Sequence, residues 1–251
     1  MTSPAPDSPL AVKVVPSPNQ GVRSDGKRPS MILLHYTGME DGVSALQRLC
    51  NPLAEVSAHY LVWEDGRIFQ LVPEAARAWH AGRSCWRGET DVNSVSIGIE
   101  IVNRGHDFDY PDFPDVQIEA VIALCRDVAE RNGIAPGMVL AHSDVAPDRK
   151  RDPGEKFPWD RLGAAGLGGW VPPAPIRDGR AFGRGEEGQP IRALQAMFAM
   201  FGYAIDVTGV FDERTEQVVT AFQRRFRPAL VDGVADASTI TTLRDAIAAE
   251  R

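Results

Sequence analysis

Apolar positions in the first two thirds of the chain come in short runs with a period of two or no period. "MILLHYT" (31–37) is an unbroken apolar run that ends at His35, which predicts a strand buried on both faces. "HYLVWEDGRIFQLV" (59–72) predicts a hairpin that turns at Asp65-Gly66. "NSVSIGIEIVN" (93–103) alternates, with Val95, Ile97, Ile99 and Ile101 on one face and Ser96, Gly98 and Glu100 on the other. The period then changes to that of a helix over 115–133. There Ile118, Val121, Ile122, Cys125, Val128 and Ala129 share a stripe, and Gly133 is the stop. "MVLAH" (138–142) is one more short strand that ends in a histidine. Strands, a crossover helix and further strands predict an α/β domain with a mixed central β-sheet flanked by helices.

Beyond residue 185 only helical periods occur. Ile191, Leu194, Met197, Phe198 and Phe201 lie on one face, with Pro190 near the first turn. "GVFDERT" (209–215) and "GVADAST" (233–239) repeat G-V-x-D-x-x-T at a spacing of 24 residues, so Asp212 and Asp236 are the expected caps of two further helices. The predicted organisation is an extended arm over 1–24, an α/β domain over 25–165, a Gly/Pro-rich linker over 166–180 and a small three-helix domain over 181–251.

Composition narrows the function classes. Hydrophobic residues make up 43% and charged residues 24%, ordinary values for a globular protein with a substantial core. A net charge of -7 argues against a nucleic-acid partner. No apolar run approaches the ~18 residues that a membrane span needs. The N-terminal stretch holds five prolines in twenty residues and lacks the pattern of an export signal. Cys50, Cys85 and Cys125 are too few and odd in number for a disulfide framework, and Cys125 lies on a core stripe. These features lead us to expect a cytoplasmic protein.

Two predicted strands end in histidines, His35 and His142, and open sheets commonly present functional groups at strand ends. With Asp152 they would form a two-His, one-carboxylate set suited to Zn²⁺ with its fourth position open. Glu100, on the polar face of its strand, could act as general base. By residue type alone the bland readings stay open: a solvated His35, a hydrogen-bonded His142, and Asp152 capping the turn at Pro153-Gly154. His59 reads as structural and His106 as a solvated loop residue.

"LLHYTG", "SAHYLV", "AWHAG", "SIGIEIVN", "AHSDVAP" and "KRDPGEKFPW" occur in that order over about residues 25–165. This series resembles the zinc-dependent N-acetylmuramoyl-L-alanine amidases of the type-2 family, related to the peptidoglycan recognition proteins. The resemblance implies that His35, His142 and Asp152 ligate one Zn²⁺ per chain, that Glu100 is the catalytic glutamate, and that Lys150 is the cation beside the metal. Only four of the 27 basic residues are Lys, so a Lys here is notable. His80 in "AWHAG" and Asn103 are candidates for substrate contact. The region from about residue 180 to 248 is similar to the three-helix peptidoglycan-binding module often fused to wall hydrolases.

The expected partners are therefore peptidoglycan fragments and the expected reaction is hydrolysis of the amide between N-acetylmuramic acid and L-alanine. With no visible export signal, the expected substrates are 1,6-anhydro-muropeptides met during cell-wall recycling. The alternatives are a periplasmic amidase acting on intact peptidoglycan and a non-catalytic muropeptide-binding protein. The C-terminal helices favour the first alternative. They fit a cytoplasmic enzyme only if the module now shapes the cleft or a dimer.

Overall fold

A six-stranded sheet organises the computed structural model, which describes residues 5–250. Strands β1 (Ala11–Val14), β2 (Gln20–Val22) and β3 (Met31–Tyr36) lead to helix α1 (Gly42–Leu49). Strands β4 (Tyr60–Val62), β5 (Ile68–Gln70) and β6 (Ala76–Ala78) follow, then a single helical turn α2 (Val92–Val95), strand β7 (Ser96–Ile101) and helix α3 (Asp115–Asn132). Strand β8 (Val139–Ala141) runs into a second single turn, α4 (His142–Val145), and then α5 (Trp159–Ala164). Three helices close the chain: α6 (Gln189–Phe201), α7 (Glu213–Phe226) and α8 (Ala237–Ala249).

The sheet order is β1-β5-β4-β7-β3-β8. Strands β4, β7, β3 and β8 are mutually parallel, β5 is antiparallel to β4, and β1 is parallel to β5 at the edge. This is the mixed sheet expected from the alternating patterns. On one face Ile32 and Leu34 of β3 and Ile97, Ile99 and Ile101 of β7 pack against Ile118, Val121, Cys125 and Val128 of α3. Cys125 is a core thiol, pushed up to about 12 by burial. On the other face Met31, Leu33 and Leu140 join one apolar cluster with Trp86, Phe198, Phe222 and Phe226, so the sheet and the C-terminal helices share a core.

Three stretches depart from the sequence pattern. Residues 92–95 are helical, and Val95 packs on the opposite side of the sheet from Ile97. The buried Arg23 guanidinium gathers the carbonyls of Asn93, Ser94 and Ser96 and so fixes the bend. The stretch expected as an arm contributes β1 to the sheet edge and β2 to a separate pair with β6; residues 1–4 lie outside the described residues. His142 is the first residue of α4 and not the last of a strand.

In the helical domain Asp212 accepts from the Thr215 N–H and Asp236 from the Thr239 N–H, as the repeated motif predicts. A second duplication was not legible. Gln195 Oε1 accepts from the Gly209 N–H while its Nε2 donates to the Val210 carbonyl. Gln223 does the same to Gly233 and Val234, so each capping loop is clamped by a buried glutamine.

The two domains meet at a buried charge. Asp144 has no exposed surface, accepts from Tyr203 Oη at 2.7 Å and pairs with Arg225, which is itself 2% exposed. Removing one partner of a buried pair strands the other charge and costs about 3–5 kcal/mol. Arg225→Met is accordingly expected to lose about that much in urea unfolding. A loss below about 1 kcal/mol would mean that the carboxylate is solvated in solution.

Candidate metal centre and active site

Register places the site. Within the sheet His35 lies opposite Glu100 and Leu34 opposite Ala141, so three parallel strands deliver His35, Glu100 and His142 to one edge. His35 and Glu100 share the face away from α3, which follows from the alternation around Leu34 and Ile99. The loop after α4 returns to the same point, where the Ser143 N–H donates to the Asp152 carbonyl at 3.0 Å.

His35 Nδ1, His142 Nδ1 and Asp152 Oδ2 form a triangle with edges of 2.8, 3.1 and 2.9 Å. All three residues are buried, at 2%, 2% and 6% exposure. Bonds of about 2.0–2.1 Å in a tetrahedron place neighbouring donors about 3.3 Å apart, so this triangle admits a small cation with slight expansion. The donor chemistry agrees. His142 Nε2 lies 3.1 Å from the Ala81 carbonyl, which can only accept, so that nitrogen carries a proton and Nδ1 is the atom left to bind a metal. Burial and then His142 hold His35 down to about 4, so it is neutral near pH 7. Burial acts to raise Asp152, but His142 and His35 outweigh it and hold the carboxyl below its ordinary range. A neutral His35 imidazole and an ionised Asp152 carboxylate are states that metal binding requires.

Glu100 stands beside this set with one carboxylate oxygen buried and without a hydrogen-bond partner. Burial, then the Asp152 charge, push it well above the usual carboxylate range, and Lys150 acts in the opposite direction. An unpaired, elevated carboxylate next to a donor triangle is suited to taking and returning a proton. The group opens into a cavity of about 560 Å³ that Glu100, Lys150, His80 and Trp79 also line. Arg48, Arg149 and Arg151 add positive charge to the wall, a contribution that sequence reading missed because surface arginines carry no local signal.

The other expected residues divide. His80 lines the cavity and also hydrogen-bonds His35. Asn103 is 4% exposed and does not line it. Its Nδ2 donates to the Pro111 carbonyl and its Oδ1 accepts from the Gly105 N–H, so it shapes its own loop. His59 is structural as expected, accepting the Gly98 N–H on Nδ1 at 2.9 Å. His106 is not a solvated loop residue: it stacks on Tyr110 at 4.3 Å and bonds Tyr36 Oη and Glu155.

A mixed sheet with a His-His-Asp donor set and a buried carboxylate at its parallel strand ends defines a hydrolase built round a metal-type centre. The N-acetylmuramoyl-L-alanine amidase family matches residues 25–155, and a putative peptidoglycan binding domain matches residues 187–243. The chain belongs to the N-acetylmuramoyl-L-alanine amidase family. N-acetylmuramoyl-L-alanine amidase AmiD of Escherichia coli is 40% identical over 225 residues, covering 84% of this chain and 80% of its own length. The 1,6-anhydro-N-acetylmuramyl-L-alanine amidase AmpD of the same organism is 34% identical over 170 residues, covering 61% of this chain and 91% of its own length. The solved complex of AmiD with anhydro-N-acetylmuramic acid-L-Ala-D-gamma-Glu-L-Lys superposes with a TM-score of 0.74 at 37% identity, covering 89% and 90% of the two chains. AmpDh3 of Pseudomonas aeruginosa, solved with an anhydromuramic pentapeptide, gives 0.72 at 33% identity, covering 87% and 91%.

One glycine on β7 is required by the site. A Cβ at Gly98 would lie 2.5–2.7 Å from three ring atoms of His80. Gly98→Ala is expected to destabilise by about 1–3 kcal/mol in urea unfolding, because the ring must leave its slot. An unchanged midpoint would contradict this packing.

Proposed function

We propose that this amidase is zinc-dependent and releases the stem peptide from 1,6-anhydro-muropeptides, with His35, His142 and Asp152 holding one Zn²⁺ per chain. The convergence of those three buried donors beside the unpaired Glu100 carries the reading. When bound, zinc supplies Lewis-acid polarisation of an amide carbonyl and makes water more acidic. Glu100 takes the proton of the attacking water and returns it to the departing L-alanine amine. Its raised proton affinity suits both halves of that transfer. Lys150 places a fixed positive charge on the cavity wall, where negative charge develops on the carbonyl oxygen. The arginines beside it favour an anionic stem peptide.

The choice of substrate is supported by the relatives, since AmpD is named for the 1,6-anhydro sugar and both AmiD and AmpDh3 were solved with anhydro-muramic ligands. A cytoplasmic recycling role goes with this substrate and with three free thiols. The match to a peptidoglycan binding domain favours a second reading, a periplasmic enzyme acting on intact wall. Among the described residues no helix is long and apolar enough to cross a membrane.

Purified protein is expected to carry one zinc per chain by elemental analysis. Glu100→Gln should keep the metal and lose about 10²–10⁴ in rate, while His142→Ala should lose both. Near-normal turnover by Glu100→Gln refutes the assigned base. Mass spectrometry of products from an anhydro-muramyl tripeptide and from intact sacculi, run side by side, selects the substrate. Faster release from sacculi, or activity confined to the periplasmic fraction of cells, moves the role to the wall.

A further inference from the structure

A chain of hydrogen bonds runs backwards from the donor triangle into the sheet. Ser96 Oγ lies 2.6 Å from the Val92 carbonyl, which has no proton to give, so the serine hydroxyl spends its hydrogen there. The same Oγ lies 3.2 Å from His80 Nε2 and can only accept from it. His80 Nε2 is therefore the protonated nitrogen. A ring that keeps its single hydrogen on Nε2 presents Nδ1 as an acceptor. That Nδ1 lies 3.0 Å from His35 Nε2, which must then carry the proton. His35 Nδ1 is left with a free lone pair, pointing into the triangle with His142 Nδ1 and Asp152 Oδ2.

We infer that His80, set by Ser96, is a positioning residue that fixes the tautomer and ring orientation of His35 for metal binding. The inference rests on the proposed zinc site and deepens it, since it makes His35 Nδ1 a lone-pair donor at one corner of a triangle with edges of 2.8–3.1 Å. His142 is fixed by a backbone carbonyl, which no side-chain substitution removes; His35 depends on a side chain. The fold provides for that side chain. Gly98 leaves the slot its ring occupies, and the edge-on contact with His35, at 5.1 Å between centroids and 84° between planes, directs Nδ1 along the hydrogen bond. Ser96 itself comes from the bend between α2 and β7, which Arg23 holds from behind.

Outer partners of metal-bound histidines are typically worth 10–100-fold in metal affinity. His80→Ala is expected to weaken zinc binding by about that factor in competition with a chromophoric chelator. His80→Asn, whose Oδ1 can accept from His35 Nε2–H in place of the ring nitrogen, should recover most of it. In zinc-loaded wild-type protein labelled with ¹⁵N-histidine, long-range ¹H–¹⁵N spectra should show His80 and His35 both protonated at Nε2. His80 protonated at Nδ1 overturns the inference, as does His80→Ala with unchanged zinc affinity. A wild-type chain that binds no zinc refutes instead the metal site on which the inference stands.

Discussion

The pairing of Asp144 with Arg225 is the contact on which both halves of the molecule depend. A carboxylate with no exposed surface is tolerable only if each oxygen is neutralised or hydrogen-bonded. One oxygen of Asp144 accepts from Tyr203 of the helical domain. The other accepts from the Ala141 N–H and from Arg225. Ala141 is the residue before the ligand His142, so the acid that the helical domain holds is the acid that aims a metal ligand. Arg225 also donates to the carbonyls of Val139 and Gly168 and lies over the Trp159 ring at 4.6 Å. One guanidinium thus ties strand β8, the segment leading to the helical domain, and the metal loop together.

Helix α7 reaches the other side of the same loop as well. Arg224, next to Arg225, lies 3.5 Å from Glu155, three residues beyond the ligand Asp152. Glu155 in turn bonds His106, which stacks under the loop on Tyr110. Asp152 is therefore supported from the turn α4 through Ser143 and from the helical domain through Glu155. The donors sit on rigid elements and are braced from two domains.

Much of this was legible before any coordinates. Strand β3, the hairpin of β4 and β5, helix α3 and the three C-terminal helices follow from periodicity, because each buries a face with the period that its backbone imposes. His35, His142, Asp152 and Glu100 were legible as a group only through the ordered motifs around them, since their spacings along the chain reflect strand register and carry no pattern of their own. What sequence could not supply were contacts with no local signature. The Ala81 carbonyl that orients His142, the hydroxyl of Ser96 behind His80 and the pairing of Asp144 with Arg225 join positions up to 81 residues apart. His106 departs from its reading for a related reason. A polar residue in a loop looks solvated until the loop folds over it, and His106 is spent on internal bonds.

The buried acid also bears on how such proteins lose and gain parts. AmpD aligns over 91% of its own length yet spans only 61% of this chain, so an amidase unit of similar sequence exists elsewhere at little more than its own size. An added module that merely tethers an enzyme to its substrate can be deleted in one event with the catalytic unit left whole. Here the module carries the counter-charge for an acid beneath the active centre. Its loss would bare, beside that acid, the sheet face of Met31, Leu33 and Leu140 that now shares a core with Phe198, Phe222 and Phe226. Water would hydrate the carboxylate but not the apolar face. Excision of the appended domain is therefore not a clean cut, whether or not the domain ever touches the cell wall.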